Sequence, residues 1–557
     1  MKKTLSLLMA LAMLLTFTAS LAAEDRPHIT ITMFSMPANV SGLMENTWWT
    51  NYLKSELGIT VELIPSGDND DMQMQALLAA DALPDIVIFE GETHLVNAIR
   101  ANMLVNLDDH ADKMPNAQKY LKSAMEYYAQ NVSGDGVCYS LSNDVGPRPV
   151  ASMLNFSTSL RWDLYKKIGM PEIKTVWDYL DVLKAMQDLN PTNEDGQKVY
   201  AITAWNDWDS YNMQNATQVS MLMGIDSGDQ LGGKLPFATL DYGTNELGNG
   251  LEEGSGYIEG LKWFYTANQM GLLDPDSMTQ TWNTALEKAA AGRLLFAWWS
   301  WAVGNYNTAD RVNADEPTGF NVVIPTEARV PLFASSPVGS GWSWAISAKS
   351  PHIDRCIEYL DFMCNPDKVF VLANGPQGET WDIGEDGKPY ITEKGYLVRS
   401  DGTLTLDEGG KIGDGLSVIN STPLSTGTIS ELYGSIIASG EWDTYVPQIT
   451  KLQADWTAVT GYDRAIDKVL ADGNYTTVPL ATKLIGPLPD DMQIIATQIG
   501  DVVKTQSWLA VYAENDEEFN TIVAEMIATA NELGLEEIMA YNQATWTAAM
   551  ELAGNYE

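Results

Sequence analysis

Apolar and polar positions change period repeatedly along the first ninety residues. Residues 28–34 read as a strand. Residues 47–57 are apolar at helical spacing and stop at Gly58, and residues 59–64 read as a second strand. Residues 72–80 return to helical spacing, and Leu83-Pro84-Asp85 leads into Ile86-Val87-Ile88-Phe89, the short continuous apolar run expected of a buried parallel strand. Strand, helix, strand, helix, strand predicts an α/β lobe.

A second α/β unit is expected to begin near residue 150. Residues 149–156 are extended and apolar, and two helices are predicted after them, over 159–168 and 176–189. The second has Thr175 as its cap with Asp178 three residues on, buries Tyr179, Leu180, Leu183 and Met186, and stops at Asn190-Pro191. A strand over 199–204, helices over 258–270 and 284–291, and an apolar strand over 294–298 follow. Residues 319–325 and 341–347 read as strands, and Ser350-Pro351 opens a helix carrying Cys356 and Cys364. Residues 375–415 are rich in Gly and Asp and read as loop. Near the end, Asn515 caps a helix that buries Phe519, Ile522, Val523, Met526, Ile527, Ala530 and Leu533 and ends at Gly534.

The N-terminus carries Lys2 and Lys3, an apolar run over 5–15, and Ala19, Ser20, Leu21, Ala22 and Ala23 before Glu24 and Asp25. This order predicts a secretory signal peptide over 1–23, cut after Ala22 or Ala23; a membrane-spanning helix wants roughly 20 apolar residues, and this run is shorter. With 557 residues, 45% hydrophobic and 19% charged, the chain can bury a large core, and its length favours two or more lobes. A formal net charge of -41 argues against nucleic acid or an anionic membrane surface as partner, because each encounter would begin with repulsion. The three cysteines, Cys138, Cys356 and Cys364, point to a fold held by its core; the last two would lie about 12 Å apart along one helix, too far for a disulfide.

Catalytic signatures are nearly absent. There is no G-x-S-x-G elbow and no H-E-x-x-H helix, and the loop-like string over 228–234 (GDQLGGK) is followed by Leu235 where a phosphate loop needs Ser or Thr. No cofactor is implied. Two Asp- and Asn-rich loops, over 68–71 and 190–196, carry hard oxygen ligands, which makes Asn193 and Asp195 weak calcium candidates, but Pro191 breaks the ligand spacing. Aromatic richness stands out instead, with 18 Trp and 23 Tyr. Trp205, Trp208 and Tyr211, then Trp298, Trp299 and Trp301, then Trp342 with Trp344, cluster where loops should leave strands; Trp344 alternates with Trp342 and is expected in the core. An indole face stacks on the apolar face of a sugar ring while carboxylates and amides take its hydroxyls, so the run Trp205-Asn206-Asp207-Trp208-Asp209 has the composition of a carbohydrate site.

Several stretches taken in order resemble the extracellular solute-binding proteins of carbohydrate ABC importers, in the large branch common in Gram-positive bacteria. They are LPDIVIF (83–89), LRWDLYKKIGMPEIKTVWDYLDVLKAM (160–186), NPTNEDGQKVYAIT after it, GLKWFYTANQMGLLDPD (260–276), AAAGRLLFAWWSW (289–301), GWSWAISAKSPHIDRCIEYLDFM, GKPYITEKG and the closing run 508–546. The resemblance implies a type II periplasmic-binding-protein-like fold of two α/β lobes joined by crossover strands at 149–156 and 319–325. It assigns 24–150 and 319–372 to one lobe, 151–318 and a loop-rich 373–500 to the other, and 501–557 to C-terminal helices. It further implies capture of an oligosaccharide between the lobes by hinge closure, without turnover, and delivery to membrane permease subunits by a monomer.

Site residues follow from likeness to the maltodextrin-binding member. Phe89 and Glu92, with Glu90 between them, match an aromatic and an acid of the first lobe. Trp205 or Trp208, beside Asp207, matches the aromatic after the strand opening the second lobe, and Trp301, then Trp299, matches a later tryptophan. Ser35 and Met36 stand poorly where a polar pair is expected; Trp342 and Trp381 complete the ligand-binding candidates. Gram-positive members are usually tethered through a cysteine after the signal; here Glu24 stands there and the first cysteine is Cys138, so the tether has no attachment residue. An exported glycan hydrolase or lyase, and a binding protein of this fold for a non-sugar ligand, are the alternatives.

Overall fold

The computed structural model describes residues 27–36, 42–64, 70–228, 231, 233–400, 404–419 and 421–556. The predicted signal peptide, and Asp68 and Asn69 of the first calcium candidate loop, lie outside the described residues. Packing divides the chain into two units, Met1–Pro149 with Ser335–Gln448 and Val150–Ala334 with Ile449–Glu557.

In the first unit, Ile29–Ser35 runs parallel to Ile59–Leu63 on one side and to Ile86–Phe89 on the other. Ser343–Ile346 then pairs antiparallel with Ile86–Phe89 and with Ser140–Ser142, giving a six-stranded mixed sheet with Gly42–Leu43 at one edge. The four residues of Ile86–Phe89 are all buried, as a strand covered on both faces requires. The helix Trp48–Leu57 starts where the Thr47 side chain accepts a hydrogen bond from the Thr50 amide, and ends where Gly58 adopts the left-handed conformation. Trp344 is fully buried against Tyr359 and its Nε1 donates to Ser421 Oγ, and all three cysteines are buried and free.

The second unit holds a three-stranded antiparallel sheet in which Ser159–Arg161 lies between Phe296–Ala297 and Phe320–Val322. Asp178–Leu189 buries the four expected residues, and the closing helices Asp490–Val511, Asp516–Glu532 and Leu535–Ala553 pack on one another, the first of them also on Gly256–Gln269. The side chain of Asn515 accepts from the Glu518 amide, as the pattern predicts. No helix among the described residues is long and apolar enough to cross a membrane.

Several expectations are corrected. The second passage between units falls after Ala334, not at 319–325, because Phe320–Val322 completes the second unit's own sheet. A third passage follows Gln448, so 373–448 belongs to the first unit and 449–500 joins the C-terminal helices in the second. The stretch read as loop contains the hairpin Trp381–Ile383 with Pro389–Ile391 and the helix Glu393–Ser400. The predicted helix over 159–168 begins as a strand and becomes helical only at Trp162–Lys167. The strand predicted over 199–204 is extended backbone joined to its neighbours by single contacts, such as the parallel bridge between Ile202 and Leu273.

Trp381 is the largest departure from its expected role. Its indole is fully buried, its Nε1 donates to Gly375 O at 2.8 Å, and it packs edge-on against Phe370 and Tyr433. Trp381→Ala is therefore expected to lower stability by about 3–5 kcal/mol, the usual cost of emptying a buried aromatic site, measured by urea unfolding.

Candidate functional site

The extended segment over 199–205 is held by its neighbours. Tyr200 N donates to Arg293 O, Ala201 N to Leu272 O, and Leu295 N to Ala201 O. Its far end meets a buried polar network. Asp274, with no exposed surface, accepts from Lys288 Nζ at 2.7 Å and from Thr203 Oγ1 at 3.1 Å, and its amide donates to Ile202 O. Gln280 Nε2 donates to Thr203 Oγ1 at 2.5 Å and to Ala204 O at 2.6 Å, and Ala204 N donates to Ser277 Oγ at 3.0 Å. Lys288 also reaches Asp276 Oδ2 at 2.7 Å, and this hydrogen bond holds the Asp276 carboxyl below the usual carboxylate range. The result is a fixed position for Trp205 relative to the helix that carries Lys288.

That helix, Trp282–Ala290, has its first amides satisfied from two sides. Thr281 accepts from the Thr284 amide, and both Asp207 oxygens accept from Trp282 N, at 2.9 and 3.1 Å. A carboxylate facing a helix N-terminus is favourable through the exposed amides and the helix dipole. The cap places Trp282 with its ring centroid 4.6 Å from that of Trp205 and 4.7 Å from that of Trp208. From the third side, the strand Phe296–Ala297 delivers Trp298 and Trp299, and the short 3-10 turn Ser300–Val303 carries Trp301. Trp298 points inward against Phe156, Trp263 and Phe264. Trp299 and Trp301 are stacked at 5.4 Å with planes 25° apart, and Trp301 meets Trp282 at 5.6 Å.

Five indoles thus form one continuous group in which Trp205 and Trp299 are the buried base and Trp282 is half-buried. Trp208 is 37% exposed and Trp301 52% exposed; of the 18 tryptophans only Trp177 is otherwise exposed. The cavity beneath, between the indoles and Ala285, Ala289 and Leu294, is about 30 Å³, room for about one water and not for a sugar. The group's exposed surface is therefore that of Trp208 and Trp301.

The loop carrying Trp208 is anchored by Asp209. Its Oδ2 accepts from Trp508 Nε1 at 2.7 Å and its Oδ1 from Gln214 N at 2.9 Å. Burial pushes the Asp209 carboxyl up to about 6, against the opposing pull of those two hydrogen bonds.

The structure brings Trp205, Asp207, Trp208, Trp299 and Trp301 together and adds Trp282, which the sequence reading passed over. The available signal was its place directly after the capping Thr281 in a helix start already predicted nearby. Asp207 serves first as a helix cap. The remaining candidates lie in the first unit. Phe89 has no exposed surface, since it closes a strand buried at every position, and like Trp381 it is a core residue and not a ligand contact. Ser35 Oγ donates to Ile419 O and Met36 is buried with its sulfur against Glu90 N, so neither is presented as a ligand contact. Glu90 is exposed, Glu92 is buried in the first turn of Glu92–Arg100, and Trp342 is half-buried beside the strand Ser343–Ile346. Asn193 Oδ1 accepts from the amides of Asp195 and Gln197, which makes this calcium candidate a hydrogen-bonded turn; among the described residues no three His, Cys, Asp or Glu side chains are grouped to hold a metal.

The family described as bacterial extracellular solute-binding protein matches residues 38–369 of this chain. A curated relative, the fructooligosaccharide ABC transporter substrate-binding protein FusA of Streptococcus pneumoniae serotype 4 (strain ATCC BAA-334 / TIGR4), is 26% identical over 268 residues, 45% of this chain and 43% of FusA. The chain thus spans less than half the length of that relative in the match. Among solved structures, an EF-hand mutant of S. pneumoniae FusA in complex with fructo-nystose superimposes with a TM-score of 0.60 at 15% identity, covering 94% of this chain and 100% of that one. The alginate-binding protein AlgQ2 without calcium ion gives a TM-score of 0.58 at 15% identity, covering 94% of this chain and 99% of that one. These likenesses establish the two-lobed α/β binding-protein fold.

Asp209 generates a pH prediction. Its carboxyl titrates near 6 in the folded chain and near 3.8 unfolded, so between those values the folded form binds the extra proton. Asp209's contribution to stability therefore falls as pH rises from about 4 to about 6. The difference in unfolding free energy between the wild type and Asp209→Asn, followed by urea titration across that window, should shift against the wild type as pH rises.

Proposed function

The chain belongs to the bacterial extracellular solute-binding proteins, and from that premise we propose that it is the extracytoplasmic binding component of a carbohydrate ABC importer, with the tryptophan face of its second unit as sugar platform. The observation that carries this reading is the convergence of Trp208 and Trp301 on one group of indoles that leaves 37% and 52% of their surfaces exposed. A soluble protein gains nothing in stability from exposed indoles, so a contiguous exposed aromatic group marks a contact surface. Sugar rings suit it because their axial C–H faces lie flat on an indole while their hydroxyls reach polar groups at its edge. Here the edge supplies Asn206 and Asp207, both exposed.

The ligand is bound and released unchanged, then passed to permease subunits in the membrane. The raised Asp209 carboxyl could suggest the acid of a glycosidase, but both its oxygens accept hydrogen bonds that anchor the platform loop. Labelled oligosaccharides incubated with the protein should accordingly be recovered intact; shortened products would favour the hydrolase or lyase reading.

Removing one exposed indole should separate binding from folding. Trp301→Ala is expected to weaken binding of the protein's glycan at least tenfold, about 1.4 kcal/mol, in a tryptophan-fluorescence or calorimetric titration, with the urea midpoint unchanged. Wild-type affinity in that variant would remove the platform from this account, and silence across a broad glycan panel would remove the carbohydrate.

A further inference from the structure

Resting on the sugar-platform reading, we propose that the tryptophan face selects uncharged sugar rings and excludes acidic glycans, because the single cation in its own segments is locked between two carboxylates. The face is built from residues 203–213, 274–288 and 296–308. These hold the acids Asp207, Asp209, Asp274, Asp276 and Glu287 and one base, Lys288. Lys288 is 8% exposed, and its ammonium lies 2.7 Å from both Asp274 Oδ2 and Asp276 Oδ2.

Cations on adjoining elements already face acids or rings of this chain: Arg161 pairs with Asp163 and Arg311 with Glu194, both over the Tyr306 ring, and Arg293 bears on Asp276. Arg293 Nε donates to Lys198 O, and Lys504, which bears on Asp209, pairs with Asp501 at 3.6 Å. A glycan carboxylate is normally recognised by a guanidinium fork or a free ammonium. The face offers neither. At its rim stands the exposed carboxylate of Asp207, fixed by the Trp282 amide, so a uronate laid on the indoles would meet a like charge. Discrimination of this kind needs only a repulsive element against the wrong ligand.

The test uses the full mature chain and two classes of tetrasaccharide in calorimetric titrations. Nystose, maltotetraose and mannotetraose are the uncharged probes, and a tetramannuronate from alginate is the acidic one. At least one uncharged probe should bind, and the tetramannuronate should bind at least 100-fold more weakly. Raising sodium chloride from about 0.02 to about 0.5 M should narrow that gap, because it shortens the range of the repulsion. Asp276→Asn, which strips one of the two carboxylates from Lys288, should narrow it at least threefold. Tetramannuronate binding as tightly as the best uncharged probe would overturn the proposal and leave the sugar platform standing. A gap indifferent to both salt and Asp276→Asn would also overturn it, since the exclusion would then not be electrostatic. Failure of both classes to bind would overturn it together with the reading beneath it.

Discussion

The ion pair between Lys288 and the fully buried Asp274 is the interaction on which the second unit's aromatic face depends. A carboxylate without exposed surface is tolerable only when an opposite charge and further donors meet it, and removing one partner of such a pair typically costs about 3–5 kcal/mol. Here the further donor is Thr203, two residues before Trp205, while Lys288 stands on the helix that begins with Trp282. One charge pair therefore sets the spacing between two tryptophan-bearing segments that are far apart in the chain. Gln280 closes the network by bonding to Thr203 and Ala204, which leaves the extended segment little freedom to move against the helix.

On that frame the indoles divide into two kinds. Trp205, Trp298 and Trp299 are buried and serve as foundation, with Trp298 facing the core aromatics Phe264 and Phe296. Trp208 and Trp301 stand on the foundation and keep much of their surface in water. Edge-to-face and tilted contacts hold the group at centroid separations near those that aromatic pairs prefer, so the exposed rings are positioned before any ligand arrives. A preorganised aromatic surface loses little freedom on binding, which is the economical way for a binding protein to hold a flexible oligosaccharide.

Much of this was legible in the sequence, and the misses have physical causes. The buried run Ile86–Phe89, the stop at Gly58, the cap at Asn515 and the amphipathic helix Asp178–Leu189 follow from periodicity and local chemistry, which depend on neighbours in the chain; the cap expected at Thr175 is not one, since the helix begins after Trp177. Burial of Phe89 and Trp381 depends on distant strands and rings. Nothing in the Gly- and Asp-rich text around Trp381 shows that Phe370 and Tyr433 will enclose it. The first boundary, near residue 150, was legible, but the later ones were not, for the same reason: Phe320–Val322 looks like any crossover strand until its partner, Ser159–Arg161, is known. Composition did point to Trp205, Trp208, Trp299 and Trp301. It could not show that Trp282 joins them, because that contact is made by Asp207 capping a helix more than seventy residues later.

The most direct test is fluorine NMR of protein labelled with 5-fluorotryptophan, its resonances assigned by single Trp→Phe substitutions and followed during titration with an uncharged oligosaccharide that binds. The resonances of Trp208 and Trp301 should shift together and saturably, while those of Trp344 and Trp381 stay in place. Saturable binding that leaves Trp208 and Trp301 unmoved would contradict the account.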